Sequence, residues 1–131
     1  MIIVSGKRKT AIAKASIKEG TGIVTINKKS IEAFPMLQQL ELKEPLIIAE
    51  QILGKLNFDI SVNVASGGSA SRVEASRLAI ARAIVEFTKN DNIRVAFAAY
   101  DRNMLVADIR RKEAYKPGDS KARAKRQTSY R

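Results

Sequence analysis

Phe58-Asp59-Ile60-Ser61-Val62-Asn63-Val64 decides the fold class, because it alternates strictly: Phe58, Ile60, Val62 and Val64 point one way, Asp59, Ser61 and Asn63 the other. A period of two over seven residues is a half-buried strand. The chain then passes through Ala65-Ser66-Gly67-Gly68-Ser69-Ala70 into Ser71-Arg72-Val73-Glu74. That ending has the form of a capping box, in which serine hydroxyl and glutamate satisfy backbone N–H groups at a helix start. A helix is expected over about 72–88. Val73, Ile80, Ile84 and Phe87 form one apolar stripe on it, Leu78 and Val85 a second, and Ser76, Ala79 and Ala83 a strip of small residues. Such a helix is covered on most sides. Arg72, Arg77 and Arg82 recur every five residues and fan around its axis.

Upstream of the strand, Pro45 suits a first helical turn, and Leu46, Ile47, Ala49, Ile52, Leu53 and Leu56 recur at helical spacing up to Asn57. Residues 2–29 read as a β-hairpin. Its first strand contains Thr10 to Lys18, Glu19-Gly20-Thr21-Gly22 is the turn, and Ile23 to Asn27 returns. Ile12 and Ile17 differ in parity, so a bulge or bend is expected between them. Ser30 to Phe34, closed by Pro35, fits one helical turn. Downstream, 93–100 reads as a short helix broken by Asp101-Arg102-Asn103, and Met104-Leu105-Val106 as a last strand.

The final 22 residues, Arg110 to Arg131, cannot add to a core. They hold nine of the 24 basic residues, two acids and no aliphatic side chain larger than alanine. Ordering them costs about 1–2 kcal/mol per residue in backbone entropy, with no apolar burial to offset it. The division expected is a body over 1–109 and an extended basic arm over 110–131. The arm is net +7 and the body, with 15 basic and 11 acidic residues, net +4, giving +11 overall and a pI near 10.2. That asymmetry points to a polyanionic partner, nucleic acid before a membrane surface. Arg and Tyr together, with Tyr115 and Tyr130 in the arm, suit phosphate and base contact in RNA.

Other classes are closed by composition. There is no cysteine, histidine or tryptophan, so disulfides, thiolate metal sites and imidazole base catalysis are absent. The acids show no motif spacing for a metal or a paired-carboxylate site. No catalytic residue, metal ligand or cofactor is expected. No run of 18 apolar residues occurs and the amino terminus has no leader pattern, which reads as a soluble intracellular protein. The Gly67-Gly68 turn resembles a phosphate cradle only weakly, and an ordinary strand-to-helix turn explains it as well.

Ser5-Gly-Lys-Arg-Lys-Thr-Ala-Ile-Ala-Lys14, Gly22-Ile-Val-Thr-Ile-Asn27, Gly67-Gly68 with Ser76-Arg-Leu-Ala-Ile-Ala-Arg-Ala83, Asp101-Arg-Asn-Met-Leu105 and Lys121-Ala-Arg-Ala-Lys-Arg-Gln-Thr-Ser-Tyr-Arg131 resemble, in order, the family of small-subunit ribosomal protein nine. The two termini resemble its archaeal and eukaryotic branch. Where the family usually has a third glycine this chain has Ser66 or Ser69, and where it has a glutamine early in the next helix this chain has Val73 or Glu74.

The resemblance implies an α+β fold, a mostly four-stranded sheet backed by helices as in the second domain of ribosomal protein five. It also implies a cytoplasmic, non-enzymatic role in the head of the small subunit, among neighbouring head proteins. The implied ribosomal-RNA contacts are Lys7, Arg8, Lys9, Arg77, Arg82, Lys121 and Arg123. The implied contacts with the anticodon stem-loop of the peptidyl-site transfer RNA are Lys125, Arg126, Ser129, Tyr130 and Arg131. Two other readings compete. One is a free-standing nucleic-acid-compacting or RNA-chaperone protein; the other is a small-metabolite kinase using Ser66 to Ser71 as its phosphate loop.

Overall fold

The structure is a computed structural model and describes residues 1–119 and 121–130. One mixed sheet carries three helices on a single face. Its strands are β1 (Ile2–Arg8), β2 (Ala11–Glu19), β3 (Val24–Ile26), β4 (Lys29–Ser30) and β5 (Phe58–Ala65), in the order β1-β2-β5-β3-β4. The helices are α1 (Met36–Leu53), α2 (Ser69–Thr88) and α3 (Asp91–Tyr100). This is the expected α+β architecture, with a fifth strand only two residues long.

The alternation of β5 is realised: Phe58, Ile60, Val62 and Val64 are buried, and it is the middle strand of the five. The hairpin is corrected. β2 pairs with β1 across a turn at Lys9-Thr10, and β5 inserts between β2 and β3, running antiparallel to β2 and parallel to β3. Nor is β2 bulged. Ala11, Ala13, Ala15 and Ile17 form its buried face and Ile12 lies on the open one, so small alanines, not the isoleucine, mark the inside.

Two helix starts and one strand differ from expectation. α1 begins at Met36 and has Pro45 inside it, buried, where the ring leaves the Glu41 carbonyl without its in-helix donor. α2 begins at Ser69 with Gly68 as N-cap and no side-chain cap; Glu74 reaches Arg8 instead of closing a capping box. Met104-Leu105-Val106 is not a strand: Arg102–Met104 form a single 3₁₀ turn capped by Asp101, and a turn and bend follow at 105–106. The short turn at 31–33 and the helix over 93–100 are present.

The core lies between the sheet and α2, closed by α1 and α3. Ile17, Leu42, Ile60, Ile80, Ile84, Ile93, Phe97 and Met104 are its largest fully buried side chains, and Phe58 meets Phe87 edge-on with ring centroids 5.8 Å apart. Gly67 has φ +73, and a Cβ on it would lie 2.8 Å from the Ala11 Cβ, so the turn needs glycine to pass the start of β2.

Asp59 fixes the 20–23 turn. Its Oδ1 accepts N–H bonds from Thr21, Gly22 and Ile23 at 2.9, 3.1 and 3.0 Å. The bonds from Ile23 and Thr21 foremost hold this carboxyl below its usual 3.8. A group with a lowered folded pKa stabilises the fold above its unfolded value and loses that contribution as pH falls through the folded one. Asp59→Ala is therefore expected to lower the melting temperature at pH 7. The gap from the parent should narrow below about pH 4. A gap constant from pH 7 to pH 2 would show that these bonds are not what the carboxylate contributes.

Candidate nucleic-acid interface

The basic groups read from the sequence fall into three environments. In the first, the β1–β2 turn meets the root of the carboxy-terminal segment. Arg8, Lys9 and Thr10 line one wall of an open concavity of about 780 Å³, and Arg110, Arg111 and Lys112 line the other. Lys9 is exposed with φ +51, and Lys7 is exposed one residue before Arg8. Five cations from segments about a hundred residues apart thus face one space.

What holds them together is a set of carboxylates. Arg8, with a side chain only 13% exposed, pairs with Glu74 of α2 and lies 3.4 Å from Asp108. Asp108 in turn takes the Arg110 guanidinium at 2.6 Å and the Arg110 backbone N–H at 2.9 Å. The Arg110 guanidinium above all, then its N–H, with Arg8 adding charge, keeps the Asp108 carboxyl far below the usual carboxylate range. Arg8 thereby joins three parts of the molecule: β1, α2 and the segment leaving the body.

The second environment is internal. Arg77 binds Glu44 of α1 at 2.5 Å and Asp101 at 2.8 Å, tying α1, α2 and the end of α3 together. Arg82 donates to the Leu105 carbonyl at 2.8 Å and the Ser5 carbonyl at 2.9 Å, clamping the chain after the 3₁₀ turn against β1. Arg72 donates to the Ser66 carbonyl at 3.0 Å, closing the glycine turn. These arginines hold the body in shape, and the fan they make around α2 is what lets each reach a different neighbour.

The third environment is the carboxy-terminal segment. Residues 110–119 and 121–130 contain no helix or strand and are almost wholly exposed. Lys121, Arg123, Lys125, Arg126, Ser129 and Tyr130 all face solvent, Tyr130 at 96%. Contacts here are local: Arg123 with Glu113 at 3.1 Å, Arg126 with the Gly118 carbonyl, and Lys112 4.6 Å over the Tyr115 ring. Arg131 lies outside the described residues.

Sequence reasoning named Lys7, Arg8 and Lys9 but did not single out Arg110, Arg111 and Lys112 as their counterpart. The run of three cations was visible; the fold that returns it to the first turn was not. Nor were Glu74 and Asp108 legible as the acids that spend Arg8. Among the described residues, no helix is long and apolar enough to cross a membrane.

The family model described as "Ribosomal protein S9/S16" matches residues 6–131. The chain is 46% identical over 129 residues to the small ribosomal subunit protein uS9 of Methanococcus maripaludis strain S2 and to that of Methanococcus vannielii. Each alignment covers 96% of this chain and 95% of the relative. The same identity and coverage hold for the uS9 protein of Methanococcus maripaludis strain C7. By a match that spans both the sheet-and-helix body and the basic segment after it, this chain belongs to the ribosomal protein S9/S16 family.

Proposed function

We propose that the body over 1–109 binds small-subunit ribosomal RNA and that the arm over 110–131 runs along that RNA to the transfer RNA in the peptidyl site. Family membership makes the chain a structural, non-enzymatic protein of the small ribosomal subunit. The observation that carries the finer reading is the pairing of Arg8 with Glu74 and Asp108 and of Arg110 with Asp108, which holds the arm's root and leaves Lys7, Lys9, Arg111 and Lys112 as the outward cations. Arg77 and Arg82 then serve RNA binding by holding the α2 side of the body. Lys121 and Arg123 lie along ribosomal RNA, while Lys125, Arg126, Ser129, Tyr130 and Arg131 reach the anticodon stem-loop. Phosphates take the guanidinium forks, and Tyr130, exposed on both faces, is free to stack.

The kinase reading loses its loop, because Gly67 packs on Ala11 and the Ser66 carbonyl is bound by Arg72. The free-standing chaperone reading is separated by fractionation. On a sucrose gradient of cell extract the chain is expected to travel with small subunits and neighbouring head proteins. Spreading with bulk nucleic acid, or staying at the top, would overturn the proposal.

A further inference from the structure

The sheet has a second face, and among the described residues no helix covers it. From the strand register it reads in rows: Lys7, Ile12 and Ala65; Ser5, Lys14 and Asn63; Ile3, Ser16, Ser61 and Thr25; Lys18 and Asp59. Every residue of these rows is exposed or half-buried. Charge divides across the sheet. In these rows stand Lys7, Lys14 and Lys18 against Asp59 alone, and Asp59 already holds three N–H groups, while Arg8 lies on the helix side and pairs with Glu74 of α2. On the opposite side α1 alone carries Glu41, Glu44 and Glu50 against Lys43. Lys7, Lys14 and Lys18 form no ion pair among the described residues.

We infer that this open face docks on an RNA double helix, contacting its phosphates and 2′-hydroxyls across the shallow groove, not on unpaired bases. The inference rests on the RNA-binding reading above and deepens it. Lys14 and Lys18 stand about 13 Å apart along one strand, and Lys7 lies diagonal to Lys14, within about 8 Å. The track they make continues into Lys9 and the arm root. Between the lysines stand Ser5, Ser16, Thr25, Ser61 and Asn63, small groups that donate and accept hydrogen bonds and let a backbone come close, with Ile3 and Ile12 as the exposed apolar residues of the same rows. No aromatic side chain lies on this face: the one aromatic residue of the five strands, Phe58, is buried in the core. A sheet that reads single-stranded RNA does so by stacking bases on exposed aromatics. Without them, what remains is recognition of the regular backbone and 2′-hydroxyls of an A-form helix, which is read by shape. The exposed acids Glu41 and Glu50 make the outer surface of α1 a poor one for RNA, which orients the body.

The absence of cysteine lets one placed thiol carry an iron chelate that cuts nearby RNA. In small subunits assembled with the full chain, a probe on Ser61→Cys, at the centre of the face, is expected to cut both strands of one ribosomal-RNA helix. A probe on Asn63→Cys should cut the same helix, and one on Gln51→Cys, exposed on α1, should leave it intact. Replacing Lys14 and Lys18 together by glutamine should lower the salt slope of RNA binding by about 1.4–1.8, two phosphate contacts, and Lys43→Gln should not change it. Cuts confined to unpaired RNA, a pattern no different from that of Gln51, or a neighbouring protein seated on the face would each overturn the inference. Subunits that contain the protein and show such a pattern sink this inference alone; failure to enter subunits sinks the function proposed above.

Discussion

Gly6→Ala is expected to cost the fold about 3 kcal/mol or more, near the upper end for forced overpacking, in a protein of about 5–15 kcal/mol total stability. Gly6 sits on the buried side of β1, directly under α2. A Cβ there would stand 2.7 Å from the Ala79 backbone nitrogen and closer still to the Ala75 carbonyl oxygen. Both obstacles are main chain, so no rotamer change relieves them. β1 must lift from α2, which also strains the Arg82 bond to the Ser5 carbonyl and the Arg8 pair with Glu74. Urea unfolding of Gly6→Ala beside Ser5→Ala measures this, since the Ser5 side chain is on the open face and its loss should stay within about 0.5 kcal/mol. Equal midpoints for the two variants would show that β1 and α2 have room between them.

The same contact shows what local pattern can and cannot reveal. β5 and α2 were legible because each carries its own period: four alternating apolar residues in one, a broad apolar surface with no interior Gly or Pro in the other. β1 was not, because the residue that seats it is a glycine with no hydropathy to display. The β2–β3 error has a related cause. Glu19 to Gly22 is turn chemistry, and a turn between two strands looks like a hairpin until β5, more than thirty residues later, takes the place beside β2. α1 was started nine residues late because its first turns turn Met36, Leu37 and Leu40 to solvent at 76%, 75% and 52% exposure, leaving no inward stripe to count, while Pro45 imitated a first turn.

Charge was legible as a total and misleading by position. The excess of cations over residues 110–131 relative to 1–109 follows from counting residues. Which arginines are free does not, because an arginine is spent or available according to acids far along the chain: Glu74 lies 66 residues from Arg8, and Asp101 lies 24 from Arg77. Only the register shows that Lys14 and Lys18 of β2 share an open face with Lys7.

Deleting residues 119–131 separates the roles of arm and body most sharply. The deletion removes Lys121, Arg123, Lys125, Arg126 and Arg131 and one acid, Asp119. Each lost phosphate contact should reduce the dependence of log affinity on log salt by roughly 0.7–0.9, so five should reduce the slope by about 3.5–4.5. Between 50 and 200 mM salt that corresponds to about 10²–10³-fold in the affinity lost by the full chain and not by the truncated one. Thermal stability should barely change, because among the described residues none of the buried core lies in this segment. Subunits assembled with the shortened chain should form yet hold transfer RNA in the peptidyl site less firmly, and Tyr130→Ala should reproduce part of that loss without altering the salt slope. Unchanged affinity and slope would remove the arm from RNA binding. A large fall in melting temperature would mean instead that its cations serve the body, as Arg77 and Arg82 do.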